Sequence, residues 1–186
     1  TKNWLTNLKL RASYGQVGND VYQVNGVRQR FLYEQKWTQQ ANDYYFGTTG
    51  QTGIYEQQYP NYGVTWERAH KYNAGLEFNL WNNLFSGNFD FFYEKRNDIL
   101  TEYLTRPQWV GVTMAAANLG ETKNSGVEIE LHHNNTIGKD FNYNIGFTFS
   151  HAKNEIVAMD EPALKTDYRK REGHAIGQYF GLIADG

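Results

Sequence analysis

Between His70 and Lys95 apolar and polar side chains alternate with a period of two, broken once by a short turn. His70, Tyr72, Ala74, Leu76, Phe78 and Leu80 fall on one face, and Lys71, Asn73, Gly75, Glu77 and Asn79 on the other. After the turn at Trp81–Asn83, Phe85, Gly87, Phe89, Phe91 and Tyr93 oppose Ser86, Asn88, Asp90 and Glu94. Successive side chains of a strand point to opposite faces, so the pattern predicts a hairpin with one apolar and one polar wall. Each alternating run lasts about ten residues, the length of a strand that crosses a bilayer at a tilt within a barrel. Only Phe92 departs from the pattern, an aromatic on the polar face.

The same period recurs along the chain. Thr6, Leu8, Leu10, Ala12 and Tyr14 share a face opposite Lys9, Arg11 and Ser13; Val127, Ile129 and Leu131 oppose Glu128, Glu130 and His132. Phe141, Tyr143, Ile145, Phe147 and Phe149 oppose Asn142, Asn144, Gly146, Thr148 and Ser150 in the cleanest alternation of all. The chain therefore reads as one all-β, antiparallel unit over 1–186, with strands near 4–15, 66–80, 84–95, 126–132 and 141–151. Long loops are expected at 16–64, 96–124 and 153–175, and short turns at 81–83 and 134–140.

Long and short connections alternate in that order. Adjacent antiparallel strands crossing one membrane place all long loops at one end and all short turns at the other, as in bacterial outer-membrane barrels. Aromatic placement gives the same arrangement. Trp4, Phe85 and Phe141 mark the short-turn end of the apolar face, and Tyr14, Tyr72 and Tyr93 the long-loop end, as interfacial girdles require. Pro60, Pro107 and Pro162 all fall in the expected loops, where they cost no ladder hydrogen bond. The charge that does share the apolar face, Lys95, sits at its outer end, where a long cation reaches the interface.

Composition agrees with a barrel wall. The 186 residues include 14 Tyr, 11 Phe and 5 Trp, yet the mean hydropathy is −0.72. Lipid-facing residues that alternate with polar ones give this pairing without a long apolar run, and no stretch approaches the roughly 18 apolar residues of a transmembrane helix. A net charge of −2 with no long basic run gives no footprint for nucleic acid. The absence of cysteine excludes disulfides and thiolate chemistry. No charged segment followed by an apolar one opens the chain, and its abrupt ends suggest an internal piece of something longer.

Candidate chemistry is sparse. Glu128, Glu130 and His132 share one strand face with neighbours about 6.5–7 Å apart, a spacing open to an acid/base pair or to part of a metal site. The same residues also suit a polar lumen. His132 and His133 point to opposite faces and cannot chelate together. No HExxH, GxSxG, P-loop or EF-hand pattern is present, so no catalytic, metal or cofactor-binding residues are expected. The loop aromatics Tyr44, Tyr45, Tyr55, Tyr59 and Tyr62, with Trp109, are the candidate substrate-binding residues, since binding side chains concentrate on loops.

Four stretches together resemble the SusC/RagA-type TonB-dependent transporters of the Bacteroidetes outer membrane. They are LKLRASYGQVGN (Leu8 to Asn19), VTWERAHKYNAGLEFNLWNNLFSGNFDFFYEKRNDIL (Val64 to Leu100), NLGETKNSGVEIEL (Asn118 to Leu131) and FNYNIGFTFSHAKNEI (Phe141 to Ile156). A fifth, EGHAIGQYFGLIADG (Glu172 to Gly186), is similar to a stretch that follows them in that family. The resemblance implies part of the C-terminal region of a large, 22-stranded-type transmembrane β-barrel. It further implies an N-terminal plug and TonB box absent from this sequence, energy supplied through the TonB complex, and a SusD-like surface lipoprotein as partner. The implied cargo is glycans or peptides, and the implied location is the cell outer membrane, with its lipid against the wall.

On the residues alone two other readings stay open. A soluble β-sandwich would pack the apolar strand faces on each other and hold a carbohydrate with the Tyr-rich loop 44–62. A glycoside hydrolase would use Glu128 and Glu130. Loop segregation and the family resemblance weigh against the sandwich, and the missing catalytic signatures against the hydrolase.

Overall fold

The computed structural model describes residues 4–105, 109, 111–163 and 167–181. Its main element is a five-stranded antiparallel sheet in the order β1 (Leu5–Asn19), β6 (Glu67–Leu80), β7 (Phe85–Thr101), β9 (Ala117–Ile137) and β10 (Phe141–Ala158). Between β1 and β6 come the short β2 (Tyr22–Val24) and β3 (Val27–Gln29), then β4 (Lys36–Phe46) and β5 (Thr49–Tyr59). β8 (Thr113–Met114) lies in the connection before β9, and a 3-10 turn covers Asp167–Arg169.

Register carries the alternating pattern across the whole sheet. Leu10 opposes Leu76, Leu76 opposes Phe89, Phe89 opposes Ile129, and Ile129 opposes Phe149. Opposed residues share a face, so one apolar row crosses all five strands. Rows beside it hold Leu8, Phe78, Gly87, Leu131 and Phe147, and then Ala12, Ala74, Phe91, Val127 and His151. Tyr14, Tyr72 and Tyr93 adjoin in the next row, with ring centroids 4.9 and 6.1 Å apart.

No second layer covers this face. Leu10 remains 78% exposed, Ile145 61% and Phe147 56%. The buried apolar side chains among the described residues are Leu32, Ala69, Ala115, Ala116 and Ala117, mostly at the base of the loops. A sandwich would have buried the sheet's apolar rows instead.

The short-turn end is tightly closed. Trp81, Asn82 and Asn83 all take positive φ (49°, 56° and 69°), and the Trp81 and Asn82 amides donate to the Trp4 carbonyl and Thr6 Oγ1, both at 2.9 Å. Gly138, at φ 70°, turns β9 into β10.

The other end departs from the sequence expectation. The stretch 16–64, expected as an irregular loop, holds the end of β1 and four further strands. β2 and β3 pair through Asn25-Gly26, both at positive φ, the turn chemistry of a two-residue hairpin. β4 and β5 form a second hairpin with a bulge around Asn42, and β5 pairs parallel with β8. Polar and aromatic residues stand on both faces of β4 and β5, so no apolar/polar contrast marks a period there. The connection expected at 96–124 narrows to 102–116, because β7 runs to Thr101 and β9 begins at Ala117. β10 continues to Ala158, shortening the loop expected from 153, and β9 extends to Ile137, leaving 138–140 as the turn. These extensions lie beyond the apolar rows, so the strand pairing continues where the alternation has already faded. Pro60 and Pro162 lie outside strands; Pro107 lies outside the described residues.

Candidate functional site: the polar wall and its loops

The polar face of the sheet carries a ladder of charge pairs that spans strands. Arg11 Nε lies 3.1 Å from Glu77 Oε1, and Arg11 Nη2 donates to Asp90 Oδ1 at 2.8 Å and to Asn88 Oδ1 at 2.9 Å. Lys9 Nζ meets Glu77 Oε2 at 3.3 Å. Nearer the long loops, Arg96 bridges Glu94 and Glu67, each at 2.8 Å, and Lys71 reaches Glu94 at 3.3 Å. Glu67 is buried, its charge met by the Arg96 guanidinium, as a buried carboxylate requires.

Glu128 opposes Asp90 on one side and Ser150 on the other. With Asn88, Glu130 and Thr148 these residues line a recess of about 250 Å³ on the polar face. His132 Nε2 lies 2.8 Å from Glu130 Oε1. His133 points to the other face, 5.5 Å from the Tyr143 ring. Among the described residues no cluster of three or more His, Asp or Glu could hold a metal ion. Carboxylates, amides and hydroxyls at this spacing can hydrogen-bond a hydroxyl-rich or amide-rich solute. Among the described residues no nucleophile hydrogen-bonded to a base accompanies them in this recess.

The loop aromatics do not converge on one surface. Tyr44 packs edge-on against Phe46 at 5.7 Å and shares a face of the β4–β5 hairpin with Tyr55, whose hydroxyl lies 3.4 Å from Gln40 Oε1. Tyr45 faces the opposite side with Trp37 and Ile54. Tyr59 ends β5 beside Ala115, whose amide donates to the Tyr59 carbonyl at 2.9 Å. Tyr62 and Trp109 stand almost wholly exposed, at 82% and 87%.

Two recesses at the loop base escaped the sequence reading. One of about 410 Å³ is lined by Arg28, Arg30, Phe31, Tyr33 and Trp66. The other, about 300 Å³, includes Tyr22, Glu102, Tyr103 and Met114; burial there, with Glu102 adding to it, raises the Tyr22 phenol above its ordinary value. The Asn25-Gly26 turn was the sequence signal that brings Tyr22 and Arg28 together.

The loops are tied to one another. Asn61 Nδ2 donates to the Ala116 carbonyl and Asn118 Nδ2 to that of Thr65, both at 2.9 Å. Asp160 Oδ2 accepts from the amides of Leu104 at 2.7 Å and Thr105 at 3.0 Å, and its Oδ1 accepts from Thr105 Oγ1 at 2.7 Å. Burial pushes the Asp160 carboxyl upward, but these three hydrogen bonds hold it below its ordinary value.

An open sheet with one bare apolar face, one salt-bridged face and all long connections at one end has the arrangement that a membrane-barrel wall requires. Known proteins show the same. The family described as TonB dependent receptor-like, beta-barrel matches residues 2–180. The chain belongs to this family. TonB-dependent receptor P3 of Formosa agariphila is 29% identical over 193 residues, covering 96% of this chain and 18% of its own length. TonB-dependent receptor SusC of Bacteroides thetaiotaomicron is 26% identical over 170 residues, covering 84% of this chain and 15% of its own length. Among solved structures, the RagAB peptide importer in its closed-closed state superposes with a TM-score of 0.66 at 25% identity, over 94% of this chain and 18% of that one. The RagAB peptide transporter gives a TM-score of 0.61 at 28% identity, over 86% of this chain and 16% of that one. The chain is thus of the SusC/RagA type and spans less than a fifth of the length of these relatives.

Proposed function

We propose that this chain forms part of the barrel wall of an outer-membrane transporter that imports glycans or peptides. Its apolar face meets lipid, its polar face lines the substrate path, and its long loops project outside the cell. The observation that carries this reading is the single apolar row from Leu10 to Phe149, uncovered across all five strands. Ten residue rises separate Phe141 from His151; at about 3.3 Å each and a tilt of about 40° they cover about 25 Å of bilayer.

The role follows from the wall's two faces. The pairs on the polar face neutralise most of its charge while leaving acceptors such as Glu128 and Thr148 open to a passing solute. In the whole transporter the TonB complex supplies the energy and a SusD-like lipoprotein is the surface partner. The RagAB neighbours, solved as peptide importers, support peptides as one cargo class; glycans suit the hydroxyl and amide lining equally. Tyr44, Tyr45, Tyr55, Tyr59, Tyr62 and Trp109 are proposed to meet substrate or lipoprotein from the loops. The reading is of a transporter rather than an enzyme.

Single-cysteine labelling of the full-length protein in membranes tests it. Cysteines at Leu76, Phe89 and Phe147 are expected to react only with a lipid-soluble probe, and those at Asn73, Asp90 and Thr148 only with an aqueous one. Protection of the first set from both probes would mean that protein covers the apolar face and would overturn the reading.

A further inference from the structure

On the outward face the strand-borne lysines and arginine gather at one end. Lys153 shares the row of Tyr14, Tyr72 and Tyr93; His70, Lys95 and Lys123 occupy the next row outward, and Arg68 the one beyond. Within the described strands, the short-turn end of that face carries His133 but no lysine or arginine. Lys95 and Lys123 stand directly opposite each other, a placement that like charges disfavour.

Each of the two is offset by one carboxylate. Lys95 Nζ lies 2.9 Å from Glu121 Oε1 and Lys123 Nζ 2.8 Å from Glu155 Oε1. An ammonium has three donors, so further acceptors fit on both. Lys153 lies within electrostatic reach of Glu155, which Lys123 holds more closely. Toward the membrane centre, a recess of about 430 Å³ opens in the apolar face, walled by Leu10, Leu76, Phe89, Phe91 and Val127. Ala74 also lines it and opposes another small residue, Ala12.

We propose that this recess and the lysines above it bind one lipid A molecule of the outer leaflet. An acyl chain lies over Ala74, and headgroup phosphates accept hydrogen bonds from Lys95, Lys123 and Lys153. Four residues separate Phe91 from Lys95, about 13 Å along the strand, so a chain leaving the recess passes the tyrosines and delivers its headgroup to the ammoniums. The three lysines stand on adjacent strands, spread over about 10 Å at the ordinary strand spacing. That width suits a bisphosphorylated disaccharide better than a single phosphodiester. The inference rests on the outer-membrane reading above.

The test uses full-length receptor folded into phosphatidylcholine vesicles that also contain lipid A, dephosphorylated lipid A or phosphatidylglycerol. Lipid retained after detergent extraction is counted by native mass spectrometry. The lysines attract an anionic surface but are partly offset by Glu121 and Glu155, so the triple variant Lys95→Gln, Lys123→Gln, Lys153→Gln is expected to lose about tenfold in lipid A retention. Ala74→Phe, which fills the recess, is expected to lose a comparable amount, and Lys139→Gln at the short-turn end to change nothing. Undiminished retention in both site variants overturns the proposal, as does equal retention of dephosphorylated lipid A or of phosphatidylglycerol. A fluorophore on Phe147→Cys, quenched by brominated lipid, reports insertion separately. Intact quenching with undiminished retention sinks the lipid site alone; absent quenching in the otherwise wild-type receptor sinks the barrel-wall reading as well.

Discussion

Arg11 and Asp90 pair across a strand that separates them. β6 lies between β1 and β7, and the guanidinium of Arg11 crosses it to reach the Asp90 carboxylate at 2.8 Å. The crossing point is Gly75, which opposes both residues in register. A Cβ there would collide with the Asp90 carboxylate and the Arg11 guanidinium. Both side chains are partly exposed, at 40% and 29%, so the ion pair itself is worth about 1 kcal/mol or less. Gly75→Val should cost a similar amount, about 1 kcal/mol or less, because the atoms in its way are the flexible ends of two part-exposed side chains, which swing aside and give up the pair. Urea unfolding of the full-length receptor in vesicles would compare it with Asp90→Asn and with the double variant; fully additive losses would show that the glycine has no part in the pairing.

The two faces of the sheet should respond oppositely to charge. Phe89 lies in the middle of the apolar row, and Thr148 sits one residue from that row on the polar face. Phe89→Arg is expected to destabilise the folded barrel by about 2–4 kcal/mol, the cost of a cation facing lipid near the midplane. Thr148→Arg places the same charge beside Glu130 and should change stability by less than about 1 kcal/mol. The check is the free energy of folding into vesicles for each variant. Similar losses at both positions would contradict the assignment of faces.

Phe92 is the aromatic that breaks the alternation, and the structure accounts for it. It opposes Gly126, and a Cβ on Gly126 would come within 2.5 Å of both the Phe92 ring and the His151 carbonyl oxygen. The ring covers a bare glycine on the neighbouring strand, a recurrent device for fixing strand register. Phe92→Ala is expected to cost about 1 kcal/mol or less. Gly126→Ala should cost about 1–3 kcal/mol, since a backbone oxygen cannot move aside as a side chain can. The double variant should recover only part of that loss, because the His151 carbonyl remains. Full recovery, measured by the same unfolding assay, would show that Phe92 alone sets the constraint.

These cases mark what the residue pattern could reveal. Within the five-stranded sheet the contrast between Leu76 and Glu77, or Phe147 and Thr148, is strong, and faces and register follow from it. Beyond the tyrosine row that contrast is lost, and the pairing of Arg96 with Thr122 or Lys36 with Gln58 leaves no period to read. The β2–β3 hairpin, which falls in the stretch expected as a loop, had its signal in the turn chemistry of Asn25-Gly26, which a search for periodicity passes over. The crossing of Arg11 over Gly75 was not legible, since it depends on which strands lie side by side. Neither was the parting of Tyr44 from Tyr45: consecutive strand residues face opposite sides, but no period marked β4 as a strand.

The contact between two long loops should loosen in acid. Asp160 holds the backbone amides of Leu104 and Thr105, together with the Thr105 hydroxyl, and its carboxyl lies below its ordinary value. A group whose folded value is depressed contributes stability that is fully present above its unfolded value, about 3.9 for an aspartate, and is lost as pH falls through the folded value. Hydrogen exchange at Leu104 and Thr105 should therefore be slow at neutral pH and speed up, relative to intrinsic rates, only well below about pH 4. Asp160→Asn keeps the shape but offers one acceptor oxygen in place of two, so it should raise exchange at neutral pH and abolish the acid step. An acid step that persisted in Asp160→Asn would assign the contact's pH dependence to another group and remove Asp160 from the role given to it here.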